Sequence, residues 1–144
     1  MAVAQFTKES VIAGAYKAGD AEALTRADFE RLLSEGIHTQ NHHLYEIIEV
    51  DQSATVGMAW LIVAEDLGKV HAYICDIYIL PKCQNKGYGT NAIRLLEIKA
   101  KEQFGASEIG LHVFYHNLPA QSLYNKMGYK PTGLSMKKFL NESV

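Results

Sequence analysis

The chain has 144 residues, of which 48% are hydrophobic and 21% charged, with 14 basic against 16 acidic side chains and a formal charge of −2. That suits one globular domain over residues 1–144 with its own core, and the balanced charge leaves no whole-domain footprint for a nucleic-acid partner. The two cysteines, Cys75 and Cys83, favour a reducing compartment, no apolar run reaches membrane length and Met1–Lys8 carries no leader pattern, so the expectation is a cytoplasmic protein with no membrane partner.

Taken in chain order, the first third reads as helix. Phe6–Tyr16 carries a weak helical pattern. Thr25–Leu33 is better marked, with Thr25 as N-cap, Asp28 in the first turn, Phe29, Leu32 and Leu33 on one face and Gly36 as a stop. Ile37–His43 is polar and loop-like. Its His38, His42 and His43 lack the helical or paired-cysteine spacing of a metal site, so no metal is expected. From Leu44 the period changes. Leu44–Val50, Thr55–Ala64 and Val70–Leu80 are rich in β-branched and aromatic residues, and the turns Asp51-Gln52-Ser53 and Asp66-Leu67-Gly68-Lys69 join them into an antiparallel meander. Met58, Trp60 and Ile62 alternate on one strand face and read as core.

A loop, Pro81–Lys86, leads to two glycines and then to the best helix of the chain. In Thr90–Phe104 the residues Ala92, Ile93, Leu96, Ala100 and Phe104 form an apolar stripe, and Gly105 ends it. Ile109–Tyr115 is a further strand, parallel to the one before the loop because a helix crosses between them. Asn117 caps a short helix through Met127, Gly128 stops it, and Leu134–Leu140 reads as a last strand. The order α-α-β-β-β-α-β-α-β is a mixed α/β domain, helices on a central sheet.

The stretch Gln84-Asn85-Lys86-Gly87-Tyr88-Gly89-Thr90, set between strand and helix, carries the chemistry. Glycines let the backbone take φ > 0 and approach a ligand, while the first amides of a helix are unpaired at its positive end, so a diphosphate is a natural guest. Lys86 adds one cation. The plain alternative is a tight turn with no ligand. Gly87-x-Gly89-x-x-Ala92 also fits a loose dinucleotide pattern, but the acid that reading needs, Glu108, begins its strand instead of ending it, and only one βαβ unit is present. A P-loop fails because no Gly-Lys-Ser/Thr follows.

At Gln84, Gly87 and Gly89 the chain resembles the GNAT acyltransferase superfamily, whose motif is Arg/Gln-x-x-Gly-x-Gly/Ala. The preceding Asp76–Pro81 is similar to the strand that leads into that motif. Asn117, Ala120, Leu123, Tyr124, Lys126, Gly128 and Tyr129 match a second stretch of the family, in the same order and on the matching elements. The likeness runs from about Leu44 to Leu140. Gly110–Asn117 with the Leu44–Ala64 hairpin further resembles a bacterial subgroup of unassigned substrate. The resemblance implies the GNAT-like acyl-CoA N-acyltransferase fold, a central mixed sheet with flanking helices, and acetyl-CoA as cosubstrate.

It also implies roles. Backbone groups of Ile77 and Ile79 would pair with the pantetheine arm where two strands splay apart, and the amides from Gln84 through Asn85, Lys86, Gly87, Tyr88 and Gly89 to Thr90 would hold the diphosphate. Asn117 and Tyr124 would lie beside the arm, Tyr124 near the thioester sulfur. Two departures stand out: Asn85 occupies a position where the family often has glycine, and Met1–Lys8 does not read as the strand that opens the family fold. An uncovered edge invites pairing with another chain, so a homodimer belongs among the expectations.

Transfer to an amine needs a neutral nucleophile, a polarised carbonyl and a protonated leaving thiolate. Backbone N–H near Ile79–Leu80 is a candidate oxyanion donor. Tyr124 is the expected general acid. Asp76, Glu46, His112 and His116 are candidate bases, Asp76 foremost. Alternation places Asp76 with Tyr78 on one strand face and His112 with His116 on one face of theirs. Cys83 has no sequence-local base, which disfavours a covalent acyl-enzyme. The expected function is acetyl transfer from acetyl-CoA to a small-molecule or peptide amine in a ternary complex; the alternative is a CoA-binding domain without turnover, serving as a regulatory or interaction subunit.

Overall fold

The computed structural model describes residues 41–141, which divide into two compact units, 41–112 and 113–141. The helices expected at Phe6–Tyr16 and Thr25–Leu33, His38 and the question of an opening strand lie outside the described residues.

The first unit is a four-stranded sheet and a helix. Strands β1 (His42–Glu49), β2 (Ala54–Asp66), β3 (Lys69–Ile79) and β4 (Glu108–Leu111) lie in the order β1-β2-β3-β4. β1, β2 and β3 form the expected antiparallel meander, and β3 pairs with β4 in parallel. Turn chemistry sets the hairpins. The Glu49 carboxylate accepts from the amides of Asp51 at 3.3 Å and Gln52 at 2.8 Å. In the second hairpin Leu67 and Gly68 both take positive φ, 50° and 79°, the two-residue geometry whose twist matches that of the strands.

Helix α1 (Tyr88–Glu102) starts earlier than its apolar stripe, which predicts Thr90; Gly105, at φ 68°, lets the Ala106 amide return to the Ala100 carbonyl at 2.8 Å. The helix buries Ala92, Ile93, Leu96 and Ala100. They share the unit's core with Ala59, Leu61, Val63, Ala72 and Ile74, and Leu61 at 0% exposure is its centre. Three contacts identify the covered face: His43 packs on Phe104 with ring centroids 4.5 Å apart, Lys99 Nζ lies 5.1 Å over the Tyr45 ring, and the start of α1 at Gly89 meets Ile79.

This corrects the expected core face. Of Met58, Trp60 and Ile62, only Trp60 is buried, while Met58 is 44% exposed; the helix covers the alternate residues Ala59, Leu61 and Val63. Two bulges complicate the alternation. Ile47 and Ile48 pair with Gly57 and Thr55, which makes Val56 the extra residue on β2; Trp60 and Leu61 pair with Asp76 and Ile74, which makes Cys75 the extra residue on β3. Gly57 is a close-approach glycine, because a Cβ there would run into the Tyr78 carbonyl oxygen and stand 3.1 Å from Ile79 Cα.

In the second unit, α2 (Leu118–Lys126) is capped as expected. Asn117 Oδ1 accepts from the Ala120 amide at 3.2 Å, and Pro119 sits in the first turn, where its missing N–H costs nothing. Gly128 at φ 99° closes the helix: its amide donates to the Asn125 carbonyl at 3.1 Å and that of Tyr129 to Tyr124 at 2.9 Å, the paired bonds of a Schellman motif. Two strand expectations are corrected. The Ile109–Tyr115 strand ends at Leu111, so its alternation does not carry His112 and His116 to one face. Leu134–Leu140 forms no strand among the described residues, and Leu134, Met136 and Leu140 are exposed.

Candidate active site

The ladder between β3 and β4 runs from His71–Glu108 to Ile74–Leu111 and stops there, while β3 continues to Ile79. Beyond the Cys75 bulge, β3 therefore keeps β2 on one side and has no strand on the other among the described residues. The Leu80 amide donates to the Val56 carbonyl at 2.8 Å, which places it on the β2 side. Backbone groups of successive strand residues point to alternate sides, so those of Ile79 and Ile77 face the open edge. Gln84 Nε2 donates to the Ile79 carbonyl at 3.0 Å. The amide and carbonyl of Ile77 and the amide of Ile79 are then positioned to receive an extended ligand as an added strand.

The glycine loop follows this edge directly. Pro81–Cys83 forms one 3-10 turn, with the Cys83 amide on the Leu80 carbonyl at 2.8 Å. Asn85 then takes φ 63° and Gly87 φ 84°. Left-handed backbone accounts for the asparagine at position 85, since asparagine tolerates that region better than most residues. Gly89 departs from expectation: it is helical, and a Cβ there would meet only Ile79 Cγ1 at 3.8 Å.

The first intrahelical bond of α1 runs from the Asn91 amide to the Gly87 carbonyl at 3.1 Å, and no side chain caps the helix. The amides of Tyr88, Gly89 and Thr90 have no acceptor inside the helix, and they gather at the positive end of its dipole. Lys82 and Lys86 are exposed beside them.

Asp76 and Tyr78 do share a face, as expected. They pair with Trp60 and Met58 on the side of the sheet opposite α1. The bulge is what separates them from Ile74, which pairs with Leu61 on the helix side. Glu46 pairs with Met58 on the same face as Tyr78 and accepts from the Thr55 hydroxyl. Burial, with the Asp76 carboxylate beside it, pushes the Cys75 thiol up to about 12, so it stays protonated and is no nucleophile. Both cysteines are free. His42 accepts the Trp60 indole N–H through Nδ1 at 2.9 Å, and no metal-binding cluster is found among the described residues.

In the second unit Tyr124 is half-buried on α2, and its ring meets Tyr129 edge-on at 6.0 Å. Asn117 spends Oδ1 on the helix cap and keeps Nδ2 as a donor. His116 stacks on Phe114 at 6.0 Å. The bulge at Cys75 and the requirement for Gly57 were missed by sequence reasoning; only the glycine inside an otherwise apolar strand marked the second.

The parallel pair of a mixed sheet opens at one end, and a glycine loop and an uncapped helix N-terminus follow it. Residues 11–129 match the profile of the Acetyltransferase (GNAT) family, and the chain belongs to that family. It is similar to the uncharacterised N-acetyltransferase YycN of Bacillus subtilis (strain 168), 31% identical over 135 residues, covering 94% of this chain and 85% of the relative. It resembles YdgE of the same organism at 31% identity over 140 residues, covering 97% and 88% of the two chains. The crystal structure of YycN aligns over 97% of this chain and 88% of that one with a TM-score of 0.86. A Pyrococcus furiosus protein described as an acetyltransferase, 27% identical, aligns over 96% and 93% with a TM-score of 0.68. The protein is an acyltransferase of the GNAT fold. Among the described residues no helix is long and apolar enough to cross a membrane.

Proposed function

We propose that the protein, as a single domain over residues 1–144, transfers an acetyl group from acetyl-CoA to a primary amine of a small molecule or peptide by direct attack in a ternary complex. The observations that carry this reading are two sets of backbone groups close together in the chain, the open strand edge at Ile77 and Ile79 and the helix-start amides of Tyr88–Thr90. The short loop Leu80–Gly87 joins the open strand edge to the uncapped helix amides, which suits a cosubstrate with an amide-bearing arm at one end and a diphosphate at the other.

In this reading Ile77 and Ile79 hold the pantetheine arm, and the amides from Gln84 to Thr90, with Lys86, hold the diphosphate. Asn117 donates to the arm through Nδ2. Asp76 takes a proton from the acceptor ammonium, directly or through water, the neutral amine then attacks the thioester carbonyl, and the Tyr124 hydroxyl protonates the departing thiolate. Backbone N–H at the end of β3 stabilises the oxyanion. The family match across 11–129 spans both described units and supports the single-domain reading.

Two measurements test it. Calorimetry should show CoA binding to the wild-type protein, and thiol release from acetyl-CoA should depend on an added amine. A wild-type protein that does not bind CoA would remove the whole assignment.

A further inference from the structure

The side chain of Gln84 has a use that the diphosphate does not require. Its Nε2 donates to the Ile79 carbonyl at 3.0 Å, at the point where β3 stops. Between these two residues the chain makes a 3-10 turn; beyond Gln84, which is itself extended at φ −70° and ψ 159°, it passes through left-handed Asn85 and Gly87 before α1 begins. No side chain caps that helix start. The amides at Tyr88–Thr90 and the open edge at Ile77–Ile79 are therefore two halves of one cosubstrate site joined by a short, strongly bent loop, and the Gln84 amide ties the middle of that loop to the edge.

We infer that the Gln84 side chain is a positioning group: it acts through the Ile79 carbonyl to hold the diphosphate-binding amides at a set distance from the strand edge, and it does not itself contact phosphate. This rests on the cosubstrate reading above. Two consequences follow from the chemistry of the bond. The donor matters and its charge does not, because the acceptor is a neutral carbonyl. The same donation takes one of the two lone pairs of the Ile79 oxygen, so the Ile77 carbonyl is the less encumbered edge acceptor for an amide N–H of the bound arm.

The test is CoA binding by calorimetry to wild type, Gln84→Ala, Gln84→Glu and Gln84→Arg at low and high salt, with amide hydrogen exchange over residues 85–90. Alanine should weaken binding by about five- to ten-fold, the scale of one net hydrogen bond, glutamate by at least as much because its carboxylate also repels the diphosphate, and both should speed exchange in the loop before any ligand is added. Arginine, which can donate to the same carbonyl, should bind within about two-fold of wild type, with an unchanged salt dependence. Gln84 is exposed, so the variants should keep their folding midpoints.

Wild-type affinity in Gln84→Ala or Gln84→Glu would overturn the inference, as would an arginine variant that binds more tightly with a steeper salt dependence, since that marks direct phosphate contact. These failures are distinct from failure of the cosubstrate reading, in which the wild-type protein itself shows no binding.

Discussion

The indole N–H of Trp60 on β2 donates to His42 Nδ1 on β1 at 2.9 Å, so a buried tryptophan depends on a histidine that must be neutral to accept. Burial, and to a lesser degree the neighbouring His43, hold the His42 pKa below its ordinary value. The unfolded chain therefore takes up this proton more readily than the folded one. The contribution to stability is complete above about pH 6.5 and is lost as pH falls through the lowered folded value. Urea midpoints should drop between pH 7 and 5, and His42→Gln, which keeps an acceptor but cannot titrate there, should flatten part of that drop. Trp60 is the sole tryptophan, so its fluorescence reports the change directly. An equal slope in the variant would assign the effect to another group.

Gly57→Ala should destabilise the fold by about 1–3 kcal/mol, because the added Cβ overlaps the backbone of β3. The strain falls on Tyr78 and Ile79, so CoA affinity should fall along with the urea midpoint. A stability unchanged from wild type would mean that the two strands can separate there at little cost.

Gly89→Glu should behave in the opposite way. An added Cβ there meets only Ile79 Cγ1 at 3.8 Å and the backbone is helical, so the protein should fold. The carboxylate would stand at the α1 N-terminus and compete with the diphosphate, and CoA binding should fall at least about 100-fold, as one anion displaces another from a common site. Undiminished affinity in calorimetry would place the diphosphate elsewhere.

Tyr124→Phe should lower kcat by roughly 10²-fold with little change in CoA affinity, the expected scale for removing a general acid. The ring contact with Tyr129 survives the substitution. An unchanged rate would return Tyr124 to a packing role.

How much of this was legible depended on how local each signal was. The hairpins of β1, β2 and β3 were readable because periodicity and turn residues lie together in the chain. The parallel partnership of β3 and β4 followed from the crossover helix between them. Asn117 and Gly128 announced α2, since caps act within a few residues. The Gln84–Thr90 loop was legible for the same reason: left-handed backbone favours glycine and asparagine, the residues at 87 and 85.

The sequence by itself determined the meander, the βαβ unit, the capped helix α2 and the glycine loop at the candidate site. Tertiary structure alone decided which face of β2 is buried, because α1 could have covered either side and the Val56 and Cys75 bulges change the alternation partway along. It decided too that β4 ends at Leu111 and that Leu134–Leu140 forms no strand, for a strand needs a partner and alternation cannot say whether one is within reach. The open edge at Ile77 and Ile79 depends on where a different strand stops. Pairing across a sheet is non-local, so no window of sequence contains it.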